Sequence, residues 1–61
     1  MSFGKNLFRF RKEKGLTQEG LVRKSDVAIS QIRRYEADKS SPTLEVITRL
    51  AKTLGISIDE L

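Results

Sequence analysis

The sequence predicts an all-α fold, a compact arrangement of five short helices, and three observations carry that prediction. Apolar residues recur at three- and four-residue spacing along almost the whole chain, and no segment shows the period of two that marks a strand. Ser2, Thr17, Thr43 and Ser57 stand where helices need an N-cap, and Gly15 and Gly55 stand where helices end. The single proline, Pro42, falls in the only loop-like stretch, DKSSPT.

The first helix is expected within residues 2–14, with Phe3, Leu7 and Phe10 on one buried face and Phe8 at its rim. Thr17 opens the second, where Glu19 in the first turn suits the helix dipole and Leu21 and Val22 turn inward. Gly20 costs that helix roughly 1 kcal/mol relative to alanine. A third helix is predicted over Ile29–Ala37 with Ile32 and Tyr35 as its buried pair, although Ala28 is a poor cap. Pro42 bars an unbroken helix through the loop, because it lacks an N–H and restricts the residue before it. Thr43 caps the fourth helix, whose stripe is Leu44, Ile47, Leu50, Ala51 and Leu54. Ser57 and Glu60 have capping-box spacing and open a fifth helical turn over Ile58–Leu61.

With 61 residues the chain makes one domain, 1–61, and a domain of this size buries only about 60% of its unfolded surface. There is no cysteine and no histidine, which excludes disulfides, thiolate–zinc sites and imidazole chemistry. No cofactor is expected. With no glycine-rich phosphate loop and no carboxylate pair in an apolar pocket, an enzyme is not expected either. The N-terminal stretch MSFGKNLFRFRKEKG is interrupted by charge too often for a signal peptide, and no run has the length of a membrane span. A cytoplasmic protein is the expectation.

The net charge of +4 is unevenly placed. Residues 1–39 carry ten Lys/Arg against five Asp/Glu, whereas residues 40–61 carry two against three. A basic front half suggests a polyanionic partner.

The segment TQEGLVRKSDVAISQIRRYE holds the motif that narrows the choice. Leu21 and Val22 lie on one helix, Ile32 and Tyr35 on the next, and Val27 in the short connection. So short a turn makes the second helix cross the first steeply, with these five side chains meeting at the crossing. That is a helix-turn-helix, the unit that lays its second helix in the DNA major groove.

The chain from Phe3 to Leu61 resembles the phage repressor/Cro type of helix-turn-helix domain, most strongly in the runs RFRKEKGLTQ, LVRKSDV, ISQIRRYE, SPTLEVITRLAKTLG and ISIDEL. Two positions depart from the family's pattern: Val22 replaces an alanine, and Asp26 replaces the turn glycine. Aspartate tolerates positive φ better than most residues, so the turn is expected to survive.

The resemblance implies a lambda-repressor-like DNA-binding fold and a sequence-specific transcriptional regulator, a repressor first, from a bacterium or phage. Ala28, Ile29, Ser30, Arg33 and Arg34 are the expected base-contacting residues, taken as the solvent-facing set near the start of helix three. Arg34 suits guanine, since a guanidinium can donate to both O6 and N7, and Ile29 suits a thymine methyl. Thr17, Gln18, Lys39, Ser40, Ser41 and Thr43 are the expected phosphate contacts, placed at helix starts and in the loop after helix three. Arg11 and Glu36 are implied to form a structural ion pair.

The implied partners are double-stranded DNA and a second copy of the chain, at least on DNA, because one such unit reads only a half-site. A protein–protein module, such as an antitoxin or adaptor, is one alternative, with Phe8, Val46, Ile56 and Ile58 as its contact surface, and the DNA-binding head of a longer regulator is another. The stretch FGKNLFRFRKEK also reads as a basic amphipathic helix for a membrane surface, a reading the following Gly15 and Thr17-Gln18 fit poorly.

Overall fold

A computed structural model describes residues 2–61. It contains four α-helices: α1 (Phe3–Glu13), α2 (Gln18–Ser25), α3 (Ile29–Glu36) and α4 (Leu44–Leu54). The expected fifth helix is a single 3-10 turn, Ile58–Glu60. Its capping box is formed, but its backbone bonds run from Glu60 N to Ser57 O and from Leu61 N to Ile58 O, the i→i+3 pattern of a tighter turn. No strand occurs among the described residues.

Three helices start on side-chain caps. Ser2 accepts from Lys5 N, Thr17 from Gly20 N, and Thr43 from Val46 N. Three helices stop in the same manner: a residue at positive φ follows, and the next N–H closes back on a carbonyl five residues earlier, the Schellman pattern. Gly15 and Gly55 fill the left-handed position after α1 and α4, with Leu16 N on Arg11 O and Ile56 N on Ala51 O. After α3 the position is held by Asp38 at φ 57°, with Lys39 N on Arg34 O.

Leu7, Leu21, Ile32, Leu50 and Leu54 are fully enclosed, and Phe10, Val27, Tyr35 and Ala51 complete the core. Phe3 packs its ring edge-on against Tyr35, with centroids 5.7 Å apart. Val22, read as facing inward, is half-buried against this core. The α4 stripe is shorter than its periodicity suggested: Leu44 is 70% exposed. The core takes Val46, Leu50 and Leu54 from α4, and Arg49 donates to Asp26 O and Thr53 to Lys24 O, whereas Leu44, the first residue of the helix, stays outside these contacts.

The close approach of α1 to the end of α3 depends on Gly4. A Cβ there would collide with the Tyr35 carbonyl oxygen and come within 2.7 Å of an Asp38 carboxylate oxygen. The other Asp38 oxygen accepts from Ser2 Oγ at 3.0 Å, so the start of α1 is pinned to the end of α3.

Candidate nucleic-acid interface

The connection between α2 and α3 is built around Ser25 and Asp26. Ser25 is buried, and its hydroxyl donates to Leu21 O at 2.6 Å while accepting from Val27 N at 3.3 Å. Asp26 follows in the left-handed conformation, φ 59° and ψ 32°, and turns the chain toward α3. Leu21, Val22, Val27, Ile32 and Tyr35 all belong to, or pack against, one apolar cluster at the crossing.

α3 carries its apolar pair, Ile32 and Tyr35, inward and leaves Ser30, Gln31, Arg33 and Arg34 exposed. Ile29, expected to face solvent, is half-buried, because it lies on the flank of the stripe headed by Ile32. Ala28 is exposed and gives no side-chain cap. The N-terminus of α3 is thus the one helix start, among α1 to α4, without a capping hydroxyl.

The two adjacent arginines reach in different directions. Arg33 points back to α2, with Nη2 3.8 Å from Glu19 Oε2. Arg34 reaches forward and donates to Lys39 O at 3.4 Å, above the loop that leaves α3.

A buried polar knot fixes α3 to the rest of the molecule. Arg11 donates through Nε to Glu36 Oε2 at 2.7 Å and through Nη2 to Oε1 at 3.0 Å. Its Nη1 donates to Leu16 O at 2.8 Å, and Gln18 Nε2 donates to Glu36 Oε1 at 3.1 Å. Both charged side chains are more than nine-tenths buried. The fork-on-fork pairing satisfies the groups that burial would otherwise strand, and among the described residues every buried side-chain N or O atom has a partner.

Thr17 and Gln18 line an open recess of about 400 Å³ together with Arg11, Lys12, Gly15, Leu16 and Glu19. The recess is at the start of α2, where free backbone N–H groups and the helix dipole favour an anion. Lys39 and Ser41 are exposed in the α3–α4 loop, Ser40 is half-buried there, and Thr43 is exposed at the start of α4. The expected phosphate contacts therefore fall in two stretches, the start of α2 and the α3–α4 loop with the start of α4.

Sequence reading passed over three residues that shape this surface and gave a fourth, Glu19, only a helix-dipole role. Gln31 is exposed beside Ser30, and helical spacing from Ile32 and Tyr35 was enough to place it there. Lys12 and Glu19 border the recess, and Ser25 locks the turn; these contacts needed the tertiary structure to be seen.

A helix-turn-helix family model matches residues 7–61. The chain belongs to the helix-turn-helix family. Within it, an uncharacterized HTH-type transcriptional regulator of Sinorhizobium fredii, y4dJ, is 38% identical over 58 residues, covering 95% of this chain and 75% of that protein. The immunity repressor protein of Bacillus phage phi105 is 31% identical over 61 residues, all of this chain but 42% of the repressor. Among solved structures, the restriction-modification controller protein C.AhdI from Aeromonas hydrophila superposes with a TM-score of 0.90 at 34% identity, covering 95% of this chain and 88% of that one. Helix-turn-helix regulators thus share both the sequence pattern and the arrangement of helices seen here.

Proposed function

We propose that residues 1–61 form a DNA-binding unit that acts as a sequence-specific transcriptional regulator, a repressor in the first instance, with α3 in the major groove. The observation that carries this reading is the outward face of α3. Ser30, Gln31, Arg33 and Arg34 are exposed on a helix whose inner end is clamped by the Arg11–Glu36–Gln18 knot. A rigidly held helix with exposed guanidinium groups is what base-edge recognition requires. Ala28 and Ser30 lie at the end of α3 that enters the groove first, and Ile29 offers only the exposed part of its side chain to a thymine methyl. Thr17 and Gln18 on one flank, and Lys39, Ser40, Ser41 and Thr43 on the other, grip the phosphates that border the groove.

A single copy reads a half-site, so the operator is an inverted repeat with half-sites about one helical turn apart, occupied by a dimer. Leu44 and Ile58 support pairing: both are large, apolar and exposed, at 70% and 42%. The unit works by binding and needs no cofactor.

Selection from a randomised duplex pool, followed by anisotropy titrations of the enriched sites at several salt concentrations, tests this. An inverted repeat bound far more tightly than random DNA is the expected result, with Arg34→Ala relaxing preference at one base pair per half-site. Absence of any enrichment would overturn it and leave a protein partner as the better reading.

A further inference from the structure

Glu19 is out of place on a surface meant for DNA. Its carboxylate lies in the first turn of α2 and borders the same recess as Thr17 and Gln18. If that recess receives a backbone phosphate, Glu19 repels it. The helix dipole explains why the fold tolerates a carboxylate there. It does not explain why Arg33 crosses from α3 to within 3.8 Å of it. An exposed pair of this kind, with both side chains about 60% accessible, contributes little to stability.

We propose that Glu19 is a specificity-determining residue, holding Arg33 in position on α3 while penalising DNA that is bound loosely. This rests on the DNA-regulator reading above. In loose, sequence-independent association, affinity follows the total of phosphate contacts and counterions released, so a carboxylate at the contact surface counts against every duplex alike. In the fitted complex, α3 is seated in the groove, and Glu19 supplies a compensating benefit by fixing the direction of the Arg33 guanidinium. Discrimination then comes from a repulsive element as well as from attractive ones, a device common where partners must be told apart. Arg34, which meets only the Lys39 carbonyl at 3.4 Å, has no acidic partner among the described residues and is not held in this way.

The test compares two probes of equal length, the duplex enriched from the randomised pool and a random-sequence duplex, at one fixed salt concentration. Glu19→Gln is expected to tighten the random duplex and weaken the enriched one, each by about threefold, the scale of one exposed charge pair. The affinity ratio therefore falls. Arg33→Gln weakens the enriched duplex, and adding Glu19→Gln to it weakens that duplex no further, because the positioning of Arg33 is already lost, while the random duplex still tightens. Glu19→Asp restores most of the ratio. Melting temperatures of all the variants stay within a few degrees of the parent, which separates positioning from folding. Equal tightening of both duplexes by Glu19→Gln would overturn the proposal, as would a further loss of affinity for the enriched duplex when Glu19→Gln is added to Arg33→Gln. A parent protein that binds both duplexes equally overturns the regulator reading itself, and is recognised before any variant is made.

Discussion

Glu36 receives two hydrogen bonds from Arg11 and one from Gln18, and it is the residue on which the candidate surface most depends. Its carboxylate is nearly free of solvent, so removing the arginine strands a buried charge. Arg11→Met is expected to cost about 3–5 kcal/mol, enough to unfold much of a domain this small at room temperature. Thermal melting by circular dichroism measures it, and a drop of only a few degrees would show that the pair is not truly buried. Ser25 works on a smaller scale. Ser25→Ala removes the acceptor for the Val27 N–H in a buried turn, with an expected cost of about 1–3 kcal/mol in urea unfolding. The Arg11–Glu36 pair was legible from the resemblance of the sequence to a known family. Ser25 was not, because a serine in a polar run between two helices looks like ordinary loop composition. Only the packing around it shows that the hydroxyl is buried and has two partners.

Helix starts and helix contacts show the same division. Caps at Ser2, Thr17 and Thr43 follow from local chemistry, and all three form. The bare start of α3 follows equally from Ala28, and it makes a clear prediction. Ala28→Ser supplies the missing hydroxyl and is expected to stabilise the fold by about 1 kcal/mol, read as a higher urea midpoint with unchanged slope. Gly4 belongs to the other kind. Nothing in FGKNLF marks its glycine as a contact point, and helix propensity alone would favour alanine there. The Tyr35 carbonyl and the Asp38 carboxylate occupy the space a side chain would need. Gly4→Ala is therefore expected to destabilise by about 1–3 kcal/mol, despite its better propensity. A stabilised Gly4→Ala variant would mean that α1 shifts away from α3 at little cost. Leu44 errs in the opposite sense. Periodicity placed it on the buried stripe, yet the core takes Val46, Leu50 and Leu54 from α4 and leaves Leu44 exposed.

At the scale of the molecule, charge and size set the behaviour. The Cα radius of gyration is 9.9 Å, and a core of nine side chains leaves most of the twelve Lys/Arg on the surface. Among the described residues no helix is long and apolar enough to cross a membrane, and no cluster of acidic or metal-ligating residues suits a metal ion. DNA affinity is expected to fall steeply with salt, and neutralising a lysine proposed to contact phosphate, as in Lys39→Gln, should reduce the slope of log K against log[salt] by about 0.9 per bound copy. That change should be the same for enriched and random duplexes, whereas Arg34→Ala should alter their ratio. A Lys39→Gln variant with an unchanged slope would remove the α3–α4 loop from the phosphate contacts.

Spacing and residue type were enough for the helical class, the order and limits of α1 to α4 within a residue or two, and the caps, because these rest on interactions between residues close in the chain. The left-handed turn at Asp26 and the family followed from the resemblance of the motifs to known helix-turn-helix domains. The tertiary structure decided the reduction of the last helix to one 3-10 turn, the exposure of Leu44, the half-burial of Ile29 and the closeness of α1 and α3 at Gly4. It also decided where the two arginines of α3 point. Arg33 and Arg34 are identical and adjacent in sequence, and only the neighbouring Glu19 on α2 and the carbonyl of Lys39 after α3 make them different. Such differences depend on which side chains from other helices occupy the same space, and spacing along one helix carries no record of that.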